Sequence, residues 1–229
     1  MPTAVTKRRP YLAACLGAIA VCFLTMSGLD SRAIANQAHV RRISYSFEPI
    51  ATQLRPDDQV VLIDREIHIV RDVPAPTASQ LIDATVAQSD LVAIAELSDI
   101  EGVLVDQGRW IDTRLMGKIT EVFKLGESVK IAQDNRIEVQ FTGGQLMFGK
   151  VLVKAGRVFQ LQSQRSYLVF LAKVPEMAAF FPTHIPLLIQ DGQLASPESS
   201  DAFDTPPNPD PLHGMSLSDV VIQIRRLAK

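Results

Sequence analysis

Alternating apolar and polar positions dominate the middle of the chain. In Leu91–Leu97 both alternating faces are apolar, as is typical of a strand buried on both sides. Trp110–Phe123 alternates over a much longer distance, and Gly117 is the position at which so long a strand is expected to bend. Tyr167–Leu171 is again apolar on both faces. These three segments predict the centre of a β structure.

Shorter β segments and turn residues fill the intervals between the three long ones. Asp106–Arg109 predicts a turn, and Asp134-Asn135 and Gly143-Gly144 are further turn sequences. Short strands at regular spacing with such turns indicate an antiparallel barrel or sandwich. The shorter strands predicted are Val103–Val105, Ser128–Ala132, Ile137–Phe141 and Leu146–Val153. We therefore expect a mainly β fold with a small antiparallel barrel over residues 89–195.

The residues before this barrel predict a hairpin and one helix. Residues 36–58 are polar and predict a flexible lead-in, with 43–47 as a short edge strand. Within 59–88, the β-branched runs 59–63 and 66–70 predict a hairpin that turns at Asp64-Arg65. A helix capped by Thr77 or Ser79 is expected to follow and to end near Gln88.

The residues after the barrel predict a linker and a terminal helix. Residues 196–214 are rich in Ser, Asp and Pro, which predicts an exposed linker. Residues 215–229 then predict a helix capped by Ser216 or Ser218, with an apolar stripe that needs a partner.

The first 35 residues have the pattern of an export signal. Lys7–Arg9 is basic, Leu12–Met26 is apolar, and Ala33-Ile34-Ala35 has the small residues of a cleavage site. Cleavage there would leave Asn36 as the first residue. The sequence thus predicts a periplasmic or extracellular protein.

Two other interpretations of the N-terminus remain open, and a third is disfavoured. Residues 12–29, if retained, would anchor the chain in a membrane, although this run barely reaches the length that a span requires. Arg8-Arg9 loosely matches a twin-arginine signal, which would mean export after folding. A lipoprotein signal ending at Cys15 is disfavoured because almost no apolar stretch precedes it.

Cysteine usage and charge narrow the function of the exported part. Both cysteines, Cys15 and Cys22, lie in the proposed signal. The exported part can therefore form no disulfide, and it has no cysteine thiolate to act as a nucleophile or as a metal ligand. Residues 36–229 contain 19 basic and 24 acidic residues, a formal charge of about −5. This charge argues against nucleic acid as a partner, and membrane contact is expected only if the signal is uncleaved.

The order of predicted strands resembles a known family. Ser89–Ala95, the strand end Lys118–Lys124 and Tyr167–Leu171 are similar to the core of netrin-like modules and tissue inhibitors of metalloproteinases, which are five-stranded barrels of the oligonucleotide/oligosaccharide-binding (OB) type. Many exported bacterial proteins of unknown function look like this too. The resemblance implies the OB-like barrel alone, because the inhibitors chelate zinc through an N-terminal cysteine whereas this chain would begin at Asn36.

No catalytic or metal motif stands out in the sequence, and no cofactor is predicted. Ser residues are plentiful, but none lies in a Gly-x-Ser-x-Gly elbow. His184, between two prolines, is the histidine with the strongest claim to a function, with Asp191 as a carboxylate partner in a hydrolase. The other histidines, at wide spacing, are His39, His68 and His213. Four acidic residues that could gather around calcium, but which we interpret as solvated turn residues, are Asp99, Glu101, Asp106 and Asp112.

Aromatic and basic side chains near the predicted turn at 106–109 suggest a recognition surface. Trp110 at the turn and Phe148 beside Gly149 are expected to be exposed, with Arg109 and Arg114 close enough to join Trp110. The sequence thus predicts an exported, non-enzymatic domain that binds an unknown protein or small ligand. The alternative is an exported hydrolase whose site is assembled only in the fold.

Overall fold

The structure is a computed structural model that describes residues 40–64, 75–127, 129–174, 177–201 and 210–228. The predicted export signal, His39, His68 and the second strand of the hairpin expected at 66–70 lie outside these residues. The described helices are α1 Ile50–Gln53, α2 Ala78–Gln88 and α3 Leu217–Leu227, with a 3₁₀ turn at Asp106–Gly108. The described strands are β1 Val40–Ser44, β2 Val60–Asp64, β3 Leu91–Val105, β4 Trp110–Leu125, β5 Arg136–Thr142, β6 Gly144–Phe148, β7 Val151–Ala155, β8 Arg157–Phe159, β9 Arg165–Lys173, β10 Phe180–Pro182, β11 Leu187–Gln190, β12 Gln193–Ala195 and β13 Ser199–Asp201.

Five of these strands close into a ring. β3 pairs antiparallel with β4 on one side and with β9 on the other, and β4 pairs antiparallel with β5. β10 completes the ring, because it pairs antiparallel with β9 and parallel with β5. The fold is therefore mainly β with the OB-like barrel predicted from the sequence, although one of its pairings is parallel.

The central strands are apolar on both faces because each face meets a different core. Leu91, Ala93 and Ala95 of β3 point into the barrel, while Val92 points to the other side. In β9, Val169 likewise points into the barrel, while Leu168 and Phe170 point to the other side. The outer core joins the barrel wall to α2 and α3 through Val92, Leu168, Phe170, Ile82, Val86, Val220 and Ile224. The interpretation of these strands as buried on both sides is confirmed.

Each of the two predicted helices begins directly after a residue that was predicted to cap it. Thr77 caps α2 in a capping box with Gln80, and Ser216 is the N-cap residue of α3. Gln223 of α3 donates to the Ser79 carbonyl oxygen at 3.2 Å and to the Asp83 carboxylate at 2.9 Å. The helices thus pack against each other as well as against the barrel. No helix in the described ranges is long and apolar enough to span a membrane.

A second sheet covers one end of the long β3–β4 hairpin. Its strand order is β1-β2-β7-β6, with parallel pairing of β1, β2 and β7. The described part of the predicted lead-in, 40–58, is folded into β1 and α1, and β2 has a partner on each side. A third core lies beneath this sheet and contains Ile50, Val61, Ile63, Trp110, Ile111, Val153 and Ala155.

Three strand predictions needed correction. Residues 129–132 are not a strand, although Val129 is buried in the barrel core. The segment 146–153 is two strands, β6 and β7, which turn at Gly149 with φ of +62°. Val103–Val105 continues β3 after an irregularity between Ser98 and Glu101, rather than returning in a hairpin.

Candidate functional site

The turn of the β3–β4 hairpin presents an exposed aromatic side chain beside a cation. The Arg109 guanidinium lies 6.0 Å from the centroid of the Phe47 ring, and Phe47 is 84% exposed. Arg109 Nη2 donates to Gln107 Oε1 at 2.8 Å, and the Tyr45 hydroxyl donates to the Asp106 carboxylate. These contacts fix the tip surface, which we define as Tyr45, Phe47, Asp106 and Arg109. Phe47 had no signal in the sequence analysis because its neighbour Arg109 is remote along the chain.

Trp110 is buried, so the expectation that it is exposed at the turn was wrong. It is 3% exposed, and its ring meets Tyr45 edge-on at a centroid distance of 6.0 Å. A Cβ added at Gly156 would lie only 3.1 Å from Trp110 Cζ2, which shows how closely the chain approaches this ring. Trp110 is buried because the second sheet covers it, and that sheet is built from residues far away in sequence.

The other two predicted recognition residues lie in different surroundings. Phe148, at the end of β6, is half-buried and packs on the core that contains Trp110. Arg114 lies further along β4, where its Nε is 2.9 Å from Glu138 Oε1 on the neighbouring strand. The structure thus brings Trp110 and Phe148 together in the third core, leaves Arg109 on the tip surface and places Arg114 on the wall of the barrel.

A second polar cluster forms around Asp210, in the segment predicted to be an exposed linker. His184 Nε2 lies 3.5 Å from Asp210 Oδ2, and His184 Nδ1 lies 2.9 Å from the Ile185 carbonyl oxygen. Both ring nitrogens therefore face oxygen atoms, and the imidazole ring lies between the Asp210 carboxylate and the Ile185 carbonyl group.

Asp210 is almost fully buried and accepts two further hydrogen bonds. The Leu212 amide donates to Oδ1 at 2.9 Å, and the Ser196 hydroxyl donates to Oδ2 at 3.1 Å. Burial raises the pKa of Asp210, but the hydrogen bonds from His184, Leu212 and Ser196 outweigh this effect and hold the pKa below its ordinary value. Leu212, which follows, is fully buried in the outer core. The end of the predicted linker is thus fastened to the barrel.

The order of the polar groups in this cluster differs from that of a catalytic triad. Ser196 donates to the carboxylate, whereas in a triad the serine hydroxyl bonds to the histidine that takes its proton. Asp191, the carboxylate that sequence reasoning placed with His184, lies instead in the exposed turn between β11 and β12 with φ of +50°. His213 is close to the cluster, because its Nδ1 accepts from the Ser196 amide at 3.1 Å.

The acidic residues considered as calcium ligands do not converge. Asp112 is buried in β4 rather than solvated, where its carboxylate accepts from Gln140 Nε2 at 2.8 Å and from the Gly143 amide at 3.3 Å. Asp106 belongs to the tip surface. Within the ranges that the structure describes, no three His, Cys, Asp or Glu side chains are arranged to hold a metal ion.

Two clefts flank the Asp210 cluster. One has a volume of about 420 Å³ and has Ser196 in its wall. The other, of about 410 Å³, is lined by His184 and by aromatic side chains, among them Phe141 and Phe159.

Comparison with known proteins assigns the chain to no family. No protein-family profile, curated protein or solved structure matches it.

Proposed function

We propose that the protein is an exported, non-enzymatic binding domain that contacts a partner protein through the tip surface. The observation that carries this proposal is Phe47, which is 84% exposed and lies beside the Arg109 guanidinium. A large aromatic side chain costs free energy when left in water, and Phe47 packs little of its surface within the chain. Binding to a partner would bury it.

The composition of the tip surface supports a protein partner. Aromatic residues and arginine are enriched among the residues that dominate binding energy at protein interfaces. Here Arg109 is restrained by Gln107 and by Asp106, whose carboxylate lies 3.9 Å from Arg109 Nη1. A restrained side chain loses less entropy on binding than a mobile one, so the tip surface is prepared for contact.

The arrangement around Asp210 does not favour the hydrolase alternative. The general base must accept the proton of the nucleophile, and His184 is held by a carboxylate and a carbonyl group instead of by Ser196. The proposal that the protein is exported depends on the N-terminal sequence alone and is independent of the proposal that the tip surface binds a protein.

Photo-crosslinking in the cells that produce the protein tests the tip surface. Benzoylphenylalanine would be introduced at position 47 and, as a matched control, at position 147, because Met147 of β6 is also an exposed apolar residue, at 55%. We expect a discrete adduct from position 47 only, and a weaker adduct when Arg109→Ala is added. Equal adducts from both positions, or none from position 47, would exclude the tip surface as the contact.

A further inference from the structure

The cleft beside Ser196 is built from three separate segments of the chain. These are the connection between β8 and β9, the strand β11, and the residues that follow β12. The cleft shares no lining residue with the tip surface or with the cleft beside His184. Its volume of about 420 Å³ lies in the range of small-molecule sites.

The polar lining consists of amides, one hydroxyl and one carboxylate. Gln160, Gln162 and Gln190 supply amides, Ser196 the hydroxyl and Glu198 the carboxylate, and none of the described residues that line the cleft is Lys, Arg or His. In the part of the chain that the structure describes, these three amides and this carboxylate make no side-chain hydrogen bond. They can therefore donate to and accept from a ligand without losing a bond in the protein.

The rest of the lining is apolar. Leu161, Leu188 and Pro197 contribute hydrocarbon surface, and the Tyr167 ring, 1% exposed, forms part of the floor. A ligand that fits would combine hydroxyl or amide groups with C–H faces, as a sugar ring does. Anions are disfavoured because Glu198 is negative and no cation faces the cleft.

Backbone contacts hold the walls of the cleft in place. The Gln160 amide donates to the Glu198 carbonyl oxygen at 2.8 Å, which ties the first segment to the third. The Gln162 amide donates to the Tyr167 hydroxyl at 2.7 Å, and the Ser196 hydroxyl is bonded to Asp210. Since these bonds lie within the chain and join its segments, binding requires little ordering of the backbone.

From this geometry we propose that the cleft binds a neutral, hydroxyl-rich small molecule of the size of one or two sugar rings. This site is additional to the tip surface, and it would exist even if the tip surface bound no protein. A free sugar and the terminal unit of a glycan present the same groups, so both are included in the test.

Nuclear magnetic resonance titration of the purified protein provides the test. The probes are N-acetylglucosamine, maltose and chitotriose at millimolar concentration, with glucose 6-phosphate as the anionic control. We expect at least one neutral probe to shift the amide resonances of Gln162 and Glu198 and glucose 6-phosphate to shift them less. Tighter binding of chitotriose than of N-acetylglucosamine would indicate that the ligand of the cleft is a glycan. Equal binding of the two would indicate that it is a free sugar.

Substitutions locate the binding. Gln162→Leu and Gln190→Leu should each lower the affinity for the neutral probe by about tenfold, which corresponds to a loss of about 1.4 kcal/mol of binding free energy. Gln133→Leu is the matched control, because Gln133 is exposed in the turn before β5 and does not line the cleft, and it should leave affinity unchanged. The amide spectrum shows whether each variant is folded. No shift with any neutral probe, tighter binding of glucose 6-phosphate, or equal affinity in folded Gln162→Leu and Gln133→Leu would overturn the proposal.

Discussion

Arg41 and Asp58 form a two-point ion pair in the wall of the second sheet. Arg41 Nε lies 2.8 Å from Asp58 Oδ1, and Arg41 Nη2 lies 2.6 Å from Oδ2. The Asp58 carboxylate also accepts from the Arg55 amide at 2.7 Å, and Arg41 Nη2 donates to the Gln53 carbonyl oxygen at 2.6 Å. The pair therefore fastens β1 to the segment between α1 and β2.

Removing the carboxylate should destabilise the fold. The Asp58 side chain is only 4% exposed, and Asp58→Ala removes both its bonds to Arg41 and the bond that it accepts from the Arg55 amide. We expect the free energy of unfolding to fall by about 2–3 kcal/mol in a urea titration. Asp57→Ala, at an exposed neighbouring position, should change it by less than about 0.5 kcal/mol. Equal effects of the two substitutions would contradict this role of the ion pair.

The same pair should make stability depend on pH. Hydrogen bonds from Arg41 lower the pKa of Asp58 from its ordinary 3.8 to about 2. A carboxyl group whose folded pKa is depressed stabilises the fold above its unfolded pKa and loses that contribution as the pH falls through the folded pKa. At about 1.4 kcal/mol per pKa unit, the contribution is about 2.5 kcal/mol, present above pH 3.8 and lost towards pH 2.

The measurement compares unfolding curves of the native protein and Asp58→Asn between neutral pH and pH 2. The difference between the two proteins should shrink as the pH falls. Asp210 also has a depressed pKa, so the difference in stability between the native protein and Asp210→Asn should likewise shrink as the pH falls. A difference for Asp58→Asn that stays constant over this range would show that its carboxylate does not titrate as expected.

Trp110 should behave as a core residue. It is the only tryptophan in the chain, so intrinsic tryptophan fluorescence reports its surroundings alone. We expect emission at short wavelength that is resistant to quenching by iodide and shifts to longer wavelength on unfolding. Trp110→Ala should lower the free energy of unfolding by about 3–5 kcal/mol. Strong iodide quenching of the folded protein would contradict its burial.

Ser196 should not react as a nucleophile. Its hydroxyl donates at 3.1 Å to the Asp210 carboxylate, whose lowered pKa makes it a weak base, rather than to the imidazole of His184. A fluorophosphonate probe, which labels activated serines, should leave the native protein unlabelled, with the unfolded protein as the background control. Labelling that is lost in both Ser196→Ala and His184→Ala would revive the hydrolase alternative.

The elements that sequence analysis predicted correctly are those determined by their own residues. β3 and β9 are apolar on both faces, and Thr77 marks the start of α2 by a local hydrogen bond to the Gln80 amide at 3.3 Å. In each case the residues that specify the element lie within it or next to it. The OB-like barrel followed from the order of such strands.

The features that the sequence did not reveal depend on contacts between distant residues. β1, β2 and β7 are parallel, and the partners of β2 are set by chain positions far apart. Trp110 was expected to be exposed because the sheet that covers it is built from these distant strands. Asp210 lies in a segment whose proline content suggested only a linker, and its contact with His184 joins residues remote in sequence.

Export should leave a protein that begins at Asn36. The apolar run Leu12–Met26 ends before the small residues Ala33-Ile34-Ala35, which is the arrangement that a signal peptidase cleaves. N-terminal sequencing of the protein from the exported fraction should read Asn36 first, and Ala35→Arg should block cleavage. A chain that keeps residues 12–29 and stays with the membrane would support the anchored alternative. The tip surface would then face its partner from a membrane-bound domain.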